Sequence, residues 1–170
     1  MEKKIYQGKK FSLITKISKK NKKKSIEDCI KHSGVAAILA IENNKVILEK
    51  QRRYPNGFVL EIPAGTIENG EKPIDCAFRE FKEETGYEAK KMLHLIKFHP
   101  SIAFNSEIVH CFLASKIKKV SEQKLEEYEN ISIIKMDFKT VLNKIKKGEI
   151  IDSKTICAMF AYASKKKILI

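Results

Sequence analysis

GTIENGEKPIDCAFREFKEETGY, residues 65–87, sets Pro73 and Gly86 at the two ends of a segment with helical periodicity. Proline suits a first turn because its missing N–H would have no intrahelical partner there, and glycine closes a helix in the left-handed conformation. Ile74, Ala77, Phe78 and Phe81 recur at spacings of three and four, an apolar stripe suited to packing on a sheet. The rest of the helix carries Arg79, Glu80, Glu83 and Glu84. A helix rises about 1.5 Å and turns about 100° per residue, so Glu80 and Glu84 stand about 6 Å apart, nearly one above the other. Glu83 borders the same face. Carboxylates this close repel one another, but their hard oxygens suit Mg²⁺. By themselves they could equally form a charged, solvated surface.

Just upstream of this segment, the strand-like Phe58–Ile62 leads into Pro63, Ala64 and Gly65. The turn puts the Ala64 carbonyl where it could add a backbone metal ligand. Pro63 stiffens the entrance, and Gly65 allows close approach or an unusual backbone angle. Arg79 cannot bind a cation, but its rigid fork could pair with Glu71 and pin the loop to the helix. Glu71 would then support the site without touching a metal.

Short alternating apolar stretches over residues 5–17 fit a hairpin or meander, followed by a lysine-rich turn at 19–24. VAAILAIENNKVILEKQRR, after Gly34, reads as two strands around an Asn43-Asn44 turn. Further strands are expected at 91–98, 107–114 and 131–136. Two helices are expected at 137–147 and 153–166, with Asp137 and Ser153 as N-caps. Strands interrupted by one helix and closed by two more predict an α/β fold: a mixed sheet with helices on its faces. With 170 residues, the chain suits one main domain, residues 31–170, preceded by a small β extension, residues 1–30.

Cys29, Cys76, Cys111 and Cys157 are widely spaced, with no CxxC or Cys/His cluster and no leader-like apolar core, so free thiols and a cytoplasmic setting are expected. No apolar run approaches the roughly 18 residues of a membrane span. The net charge of +13 raises the question of nucleic acid. Its lysines lie in short surface-like runs without a zinc finger, KH-type loop or aromatic RNA-binding strand. Solvated faces or steering of an anionic small molecule explain them better.

The full spacing G-x5-E-x7-R-E-U-x-E-E-x-G-U is met by Gly65, Glu71, Arg79, Glu80, Phe81, Glu83, Glu84, Gly86 and Tyr87. This resembles the Nudix box, with Phe81 and Tyr87 standing where aliphatic residues are usual. The resemblance implies a Nudix-type α/β/α sandwich that hydrolyses nucleoside diphosphates linked to another group, using Mg²⁺ with Mn²⁺ as an alternative. It implies metal coordination by Glu80, Glu84 and the Ala64 carbonyl, with Glu83 in the same cluster.

The flanking HSGVAAILAI (32–41), QRRY (51–54), LEIPAG (60–65), HPSIAFNSEIVHCFLA (99–114) and GEIIDSKTICA (148–158) resemble the ADP-ribose and ADP-sugar pyrophosphatase branch. By that resemblance Arg53, with Arg52 as its neighbour, would meet the substrate diphosphate. Ser101 and Glu107 would bracket a substrate loop, although Ser101-Ile102-Ala103 replaces the usual Ser-Pro-Gly. In EEYENISI (126–133), Glu129 is the first candidate for activating water and Glu127 the second. The branch also implies a homodimer through the N-terminal strands, with Tyr6 and Phe11 as contributors. The expected activity is hydrolysis of ADP-ribose or an ADP-sugar to AMP and a sugar phosphate. Another nucleotide sugar, a dinucleotide, or nonhydrolytic nucleotide or RNA binding are the alternatives.

Overall fold

A computed structural model describes residues 2–20, 23–125, 127 and 129–168. In chain order the elements are β1 (Glu2–Gln7), β2 (Phe11–Lys20), β3 (Lys23–His32), β4 (Val35–Glu42), β5 (Lys45–Arg53), β6 (Gly57–Glu61) and β7 (Ala64–Thr66). Then come α1 (Pro73–Thr85), β8 (Tyr87–Phe98), β9 (Val109–Lys119), β10 (Ile131–Asp137), α2 (Phe138–Lys146) and α3 (Ser153–Lys165).

β4 shows why the fold has three layers. Successive strand side chains point to opposite faces, and here both faces are apolar. Ala36, Ile38 and Ala40 join a core under α1 with Cys76, Ala77 and Phe81; Ala37 and Leu39 join a second core with Val141, Leu142, Ala158 and Met159 of α2 and α3. The sheet between them runs β10-β5-β4-β9-β8, with β6 added to β5 and β7 to β4. β4 and β9 are parallel and the other pairs antiparallel, so the sheet is mixed.

α1 begins at Pro73 and closes at Gly86, whose φ of 70° lets its N–H reach the Lys82 carbonyl at 2.8 Å. A β-carbon at Gly86 would collide with the Ser121 carbonyl. The buried stripe is Cys76, Ala77, Phe81, Glu84 and Thr85, while Ile74 and Phe78 remain 37% exposed at its margin. The helix is therefore rotated from the expected stripe, and the rotation takes Glu84 inward. Burial of Phe81 contributes about 1.5–3 kcal/mol, and Phe81→Ala would cost about 3–5 kcal/mol.

Asp152, one residue before the expected Ser153, caps α3, because its carboxylate accepts from Thr155 N at 2.8 Å. Asp137 occupies the cap position of α2 without a side-chain cap bond. The N-terminal strands form a separate antiparallel sheet, β1-β2-β3. Its pairing continues through the lysines expected to turn, with Lys19 opposite Lys24 and Lys20 opposite Lys23. The sheet joins the main body at Ile30, which donates to Phe104 O at 2.8 Å and accepts from Ser106 N at 2.9 Å. Cys29, Cys76, Cys111 and Cys157 are free, and burial pushes the Cys76 and Cys111 thiols up to about 12. Among the described residues, no helix is long and apolar enough to cross a membrane.

Candidate active site

Where β7 leaves the sheet and meets α1, the backbone comes against the acidic face of the helix. Ala64 N donates to Glu84 Oε2 at 3.0 Å. A β-carbon on Gly65 would overlap the Glu80 carboxyl group, so only glycine leaves that carboxyl where it lies. These contacts set Glu80, Glu83 and Glu84 in the wall of a cavity of about 500 Å³. Its walls include Ala64, Gly65, Arg79, Glu80, Glu83 and Glu84, together with Arg53, Glu107, Lys124, Glu129 and Lys154. Lys9 and Lys10, from the turn after β1, also reach it.

Arg79 organises the acidic face. Its Nε and Nη2 fork onto Glu71 at 2.9 and 3.0 Å, while Nη1 donates to Glu80 at 2.7 Å and to Glu83 at 3.2 Å. Glu71 also accepts from Glu68 N at 2.9 Å, which closes the loop before the helix. The Arg79 bond holds the Glu71 carboxyl below the usual range, and Glu71 in turn raises the guanidinium. Burial raises Glu80 and raises Glu84 well above an ordinary carboxylate, with Glu49 the largest charged contributor at Glu84.

Glu49 is a residue that helix spacing could not reveal. It lies on β5 in the alternation of Ile47 and Gln51, opposite Glu61 of β6, and is only 1% exposed. Burial, and then the charge of Glu61, push it up to about 8. Glu84 is close enough to act on its carboxyl group, and its Oε1 is buried without a partner. The signal in the sequence was a glutamate directly after the apolar run Val46-Ile47-Leu48, at a strand position that the pleat carries inward.

Arg53 Nε pairs with buried Glu61 at 2.8 Å, and Lys154 Nζ meets the other Glu61 oxygen at 3.2 Å. The loop after β9 is drawn toward α1 by Gln123 Nε2, which donates to Glu84 O at 2.6 Å, and by Lys124 N, which donates to Glu83 O at 2.7 Å. That places half-buried Glu129 in the cavity wall, close enough to raise Glu49, Glu80 and Glu84 by its charge. Glu127 is exposed and outside the wall, and Glu126 and Tyr128 of the same acidic loop lie outside the described residues. Arg52 is likewise exposed and outside the wall. Ser101 is half-buried away from the wall, its carbonyl accepting from Asn105 N at 3.1 Å. Glu107 is in the wall and is held by Asn105 at both its amide and its carboxylate.

The donor chemistry fits a divalent cation. All candidate donors are hard oxygens, mutual repulsion and burial make their charges costly, and one Glu49 oxygen is buried unpartnered. Glu80, Glu83, Glu84 and the Ala64 carbonyl are the groups that could hold it. Among the described residues, no three acidic, histidine or cysteine side chains already converge as a ligand set. Arg79 instead gathers the oxygens of Glu80 and Glu83.

Residues 30–158 match the sequence model of the NUDIX domain. The chain is 37% identical over 159 residues to the ADP-ribose pyrophosphatase of Bacillus subtilis, a match covering 91% of this chain and 86% of that protein. It is also 37% identical, with the same coverage, to the methanol dehydrogenase activator of Bacillus methanolicus. A GDP-mannose pyrophosphatase of Yersinia enterocolitica is 33% identical over 123 residues, covering 67% of this chain and 64% of that one. A crystal structure of an ADP compounds hydrolase superposes with a TM-score of 0.82 at 16% identity, covering 99% of this chain and 95% of that one, a likeness of fold.

Proposed function

Because the chain belongs to the Nudix family, whose enzymes generally use divalent metal ions, we propose that it is a Mg²⁺-dependent pyrophosphatase for ADP-ribose or a related ADP-sugar. The products are AMP and a sugar phosphate. One observation carries this reading: the acidic face of α1 and the cations Arg53, Lys124 and Lys154 line the same cavity. Similarity to an ADP-ribose pyrophosphatase along most of the chain supports the substrate class.

A bound Mg²⁺ would supply charge neutralisation of diphosphate oxygens and acidification of water. Glu80 and Glu84, with the Ala64 carbonyl, would hold it, and Glu83 would complete the acidic cluster. Arg79 and Glu71 keep the helix face and preceding loop in register. Arg53 orients the diphosphate, with the Glu61 brace limiting its motion. Glu129 accepts the proton of the attacking water from the loop side of the cavity. Glu107 and Ser101 belong to the substrate loop.

A different nucleotide sugar is the second reading, favoured by Ser101-Ile102-Ala103 and by similarity to GDP-mannose pyrophosphatases. The N-terminal sheet supports a homodimer in this proposal, because Ile5, Tyr6, Phe11 and Ile26 are each more than 40% exposed on it.

The deciding assay incubates purified protein with ADP-ribose, ADP-glucose, GDP-mannose, dinucleotides and capped RNA, with Mg²⁺ or chelator, and separates the products by chromatography. Metal-dependent release of AMP from ADP-ribose or ADP-glucose is expected. Cleavage of GDP-mannose alone would select the second reading, and no cleavage of any diphosphate would overturn the enzyme assignment.

A further inference from the structure

We propose that Glu49 is a metal ligand: with Glu84 it holds a hard divalent cation, Mg²⁺ or Mn²⁺, in an inner site between β5 and α1. This rests on the reading of Glu84 as a cation-holding group of a pyrophosphatase, and it adds a ligand from outside the Nudix box.

The pleat of β5 aims the residue. Val46 and Leu48 belong to the core under α2 and α3, whereas Ile47 belongs to the core under α1. Alternation carries Glu49 and Gln51 to the α1 face as well. They are 1% and 5% exposed, and Glu49 Oε1 and Gln51 Oε1 are the buried side-chain atoms that lack a hydrogen-bond partner among the described residues. α1 brings its own buried carboxylate to this layer. Glu84 is tied to Ala64 N and is close enough to Glu49 for each to act on the other's carboxyl group. Its place in the cavity wall gives an ion a path from solvent.

Charge decides what fits between the two. Glu61, opposite Glu49 on β6, is also buried but has Arg53 on one oxygen and Lys154 on the other. Both cations are thereby engaged, and Glu49 Oε1 is left without a donor. Two charged carboxylates in one buried layer are costly. A water molecule would satisfy acceptor oxygens but cancel no charge, and a proton would cancel one. A divalent cation cancels both. No third acidic side chain converges here among the described residues, which suits Mg²⁺, since its sites commonly use one or two carboxylates and complete the shell with water and substrate phosphate. The Gln51 amide supplies a further hard oxygen on the same face of the strand.

Mn²⁺ serves as the probe. Metal-free wild type, Glu49→Gln and Glu49→Asp are titrated with it, the free ion being read by electron paramagnetic resonance and folding by circular dichroism. Glu49→Gln is expected to weaken one Mn²⁺ site about 10-fold or more. Glu49→Asp keeps the charge but draws the oxygens back by one methylene, and should weaken the same site. Wild-type Mn²⁺ binding in folded Glu49→Gln would overturn the proposal and leave Glu49 a buried carboxyl packed against Glu84. Binding weakened in Glu49→Gln but unchanged in Glu49→Asp would also overturn it, because charge without contact would then suffice. A wild type that binds no Mn²⁺ has the same consequence. If the variants do not fold, anomalous scattering from a wild-type crystal soaked in Mn²⁺ decides: a peak within about 2.6 Å of a Glu49 oxygen supports the inner site, and peaks only elsewhere refute it. A wild type that shows the Glu49-dependent Mn²⁺ site yet cleaves no diphosphate would refute the enzyme reading alone.

Discussion

The amide of Ala64 donates to the Glu84 carboxylate at 3.0 Å, joining the turn after the β6 strand to a helix residue twenty positions later. Two of the groups proposed to hold the cation, the Ala64 carbonyl and the Glu84 carboxylate, are therefore tied together by one contact. Glu84→Gln keeps an acceptor for Ala64 N and removes the charge. Turnover is expected to fall on the order of a hundredfold or more. Thermal stability without metal should hold or rise, because the charge at Glu84 is opposed by burial and by Glu49. Metal-dependent kinetics and calorimetry check the two halves, and unchanged turnover would remove Glu84 from the site.

Gly65→Ala tests the close approach of loop and helix. The new methyl group would displace the Glu80 carboxylate, so Mn²⁺ affinity, read by electron paramagnetic resonance, should weaken about 10-fold or more. The fold should survive at a cost of about 1–3 kcal/mol. Wild-type affinity in this variant would show that Glu80 is free to rearrange without consequence.

Burial gives the metal-free protein a definite pH trend. The Glu49 carboxyl titrates near 8 when folded, against an ordinary 4.5, so between these values the folded state binds the extra proton. Stability is then greatest at the acidic end of this window and falls as pH rises toward 8, on the order of a few kcal/mol. Glu80 and Glu84 are raised too and reinforce the trend, whereas Glu71 is lowered and acts below 4.5. Urea titrations in chelator at pH 5, 6, 7 and 8 measure it. Glu49→Gln should flatten the slope, and an equally steep slope in that variant would place its origin elsewhere.

Glu129 and Glu127 are separated by their surroundings. Glu129→Gln should lower kcat by about 10²-fold or more with KM little changed. Glu127→Gln, at an exposed site outside the cavity wall, should remain within about twofold of wild type. The reverse pattern would reassign the proton acceptor.

Local spacing along the chain was enough to determine the principal helix, the central strand and most of the acidic site. Helical periodicity with Pro73 and Gly86 delimits α1, the pleat makes both faces of β4 apolar, and the fixed spacing from Gly65 to Tyr87 puts Arg79 and three glutamates on one helix. These rest on backbone geometry, which repeats along the chain. Tertiary packing settled the rotation that buries Glu84, the approach of Glu49 from β5, and the meeting of Arg53 and Lys154 at Glu61. Lys154 and Glu61 are ninety-three positions apart. Such pairings arise from how sheet and helices close on one another, and no local period records them.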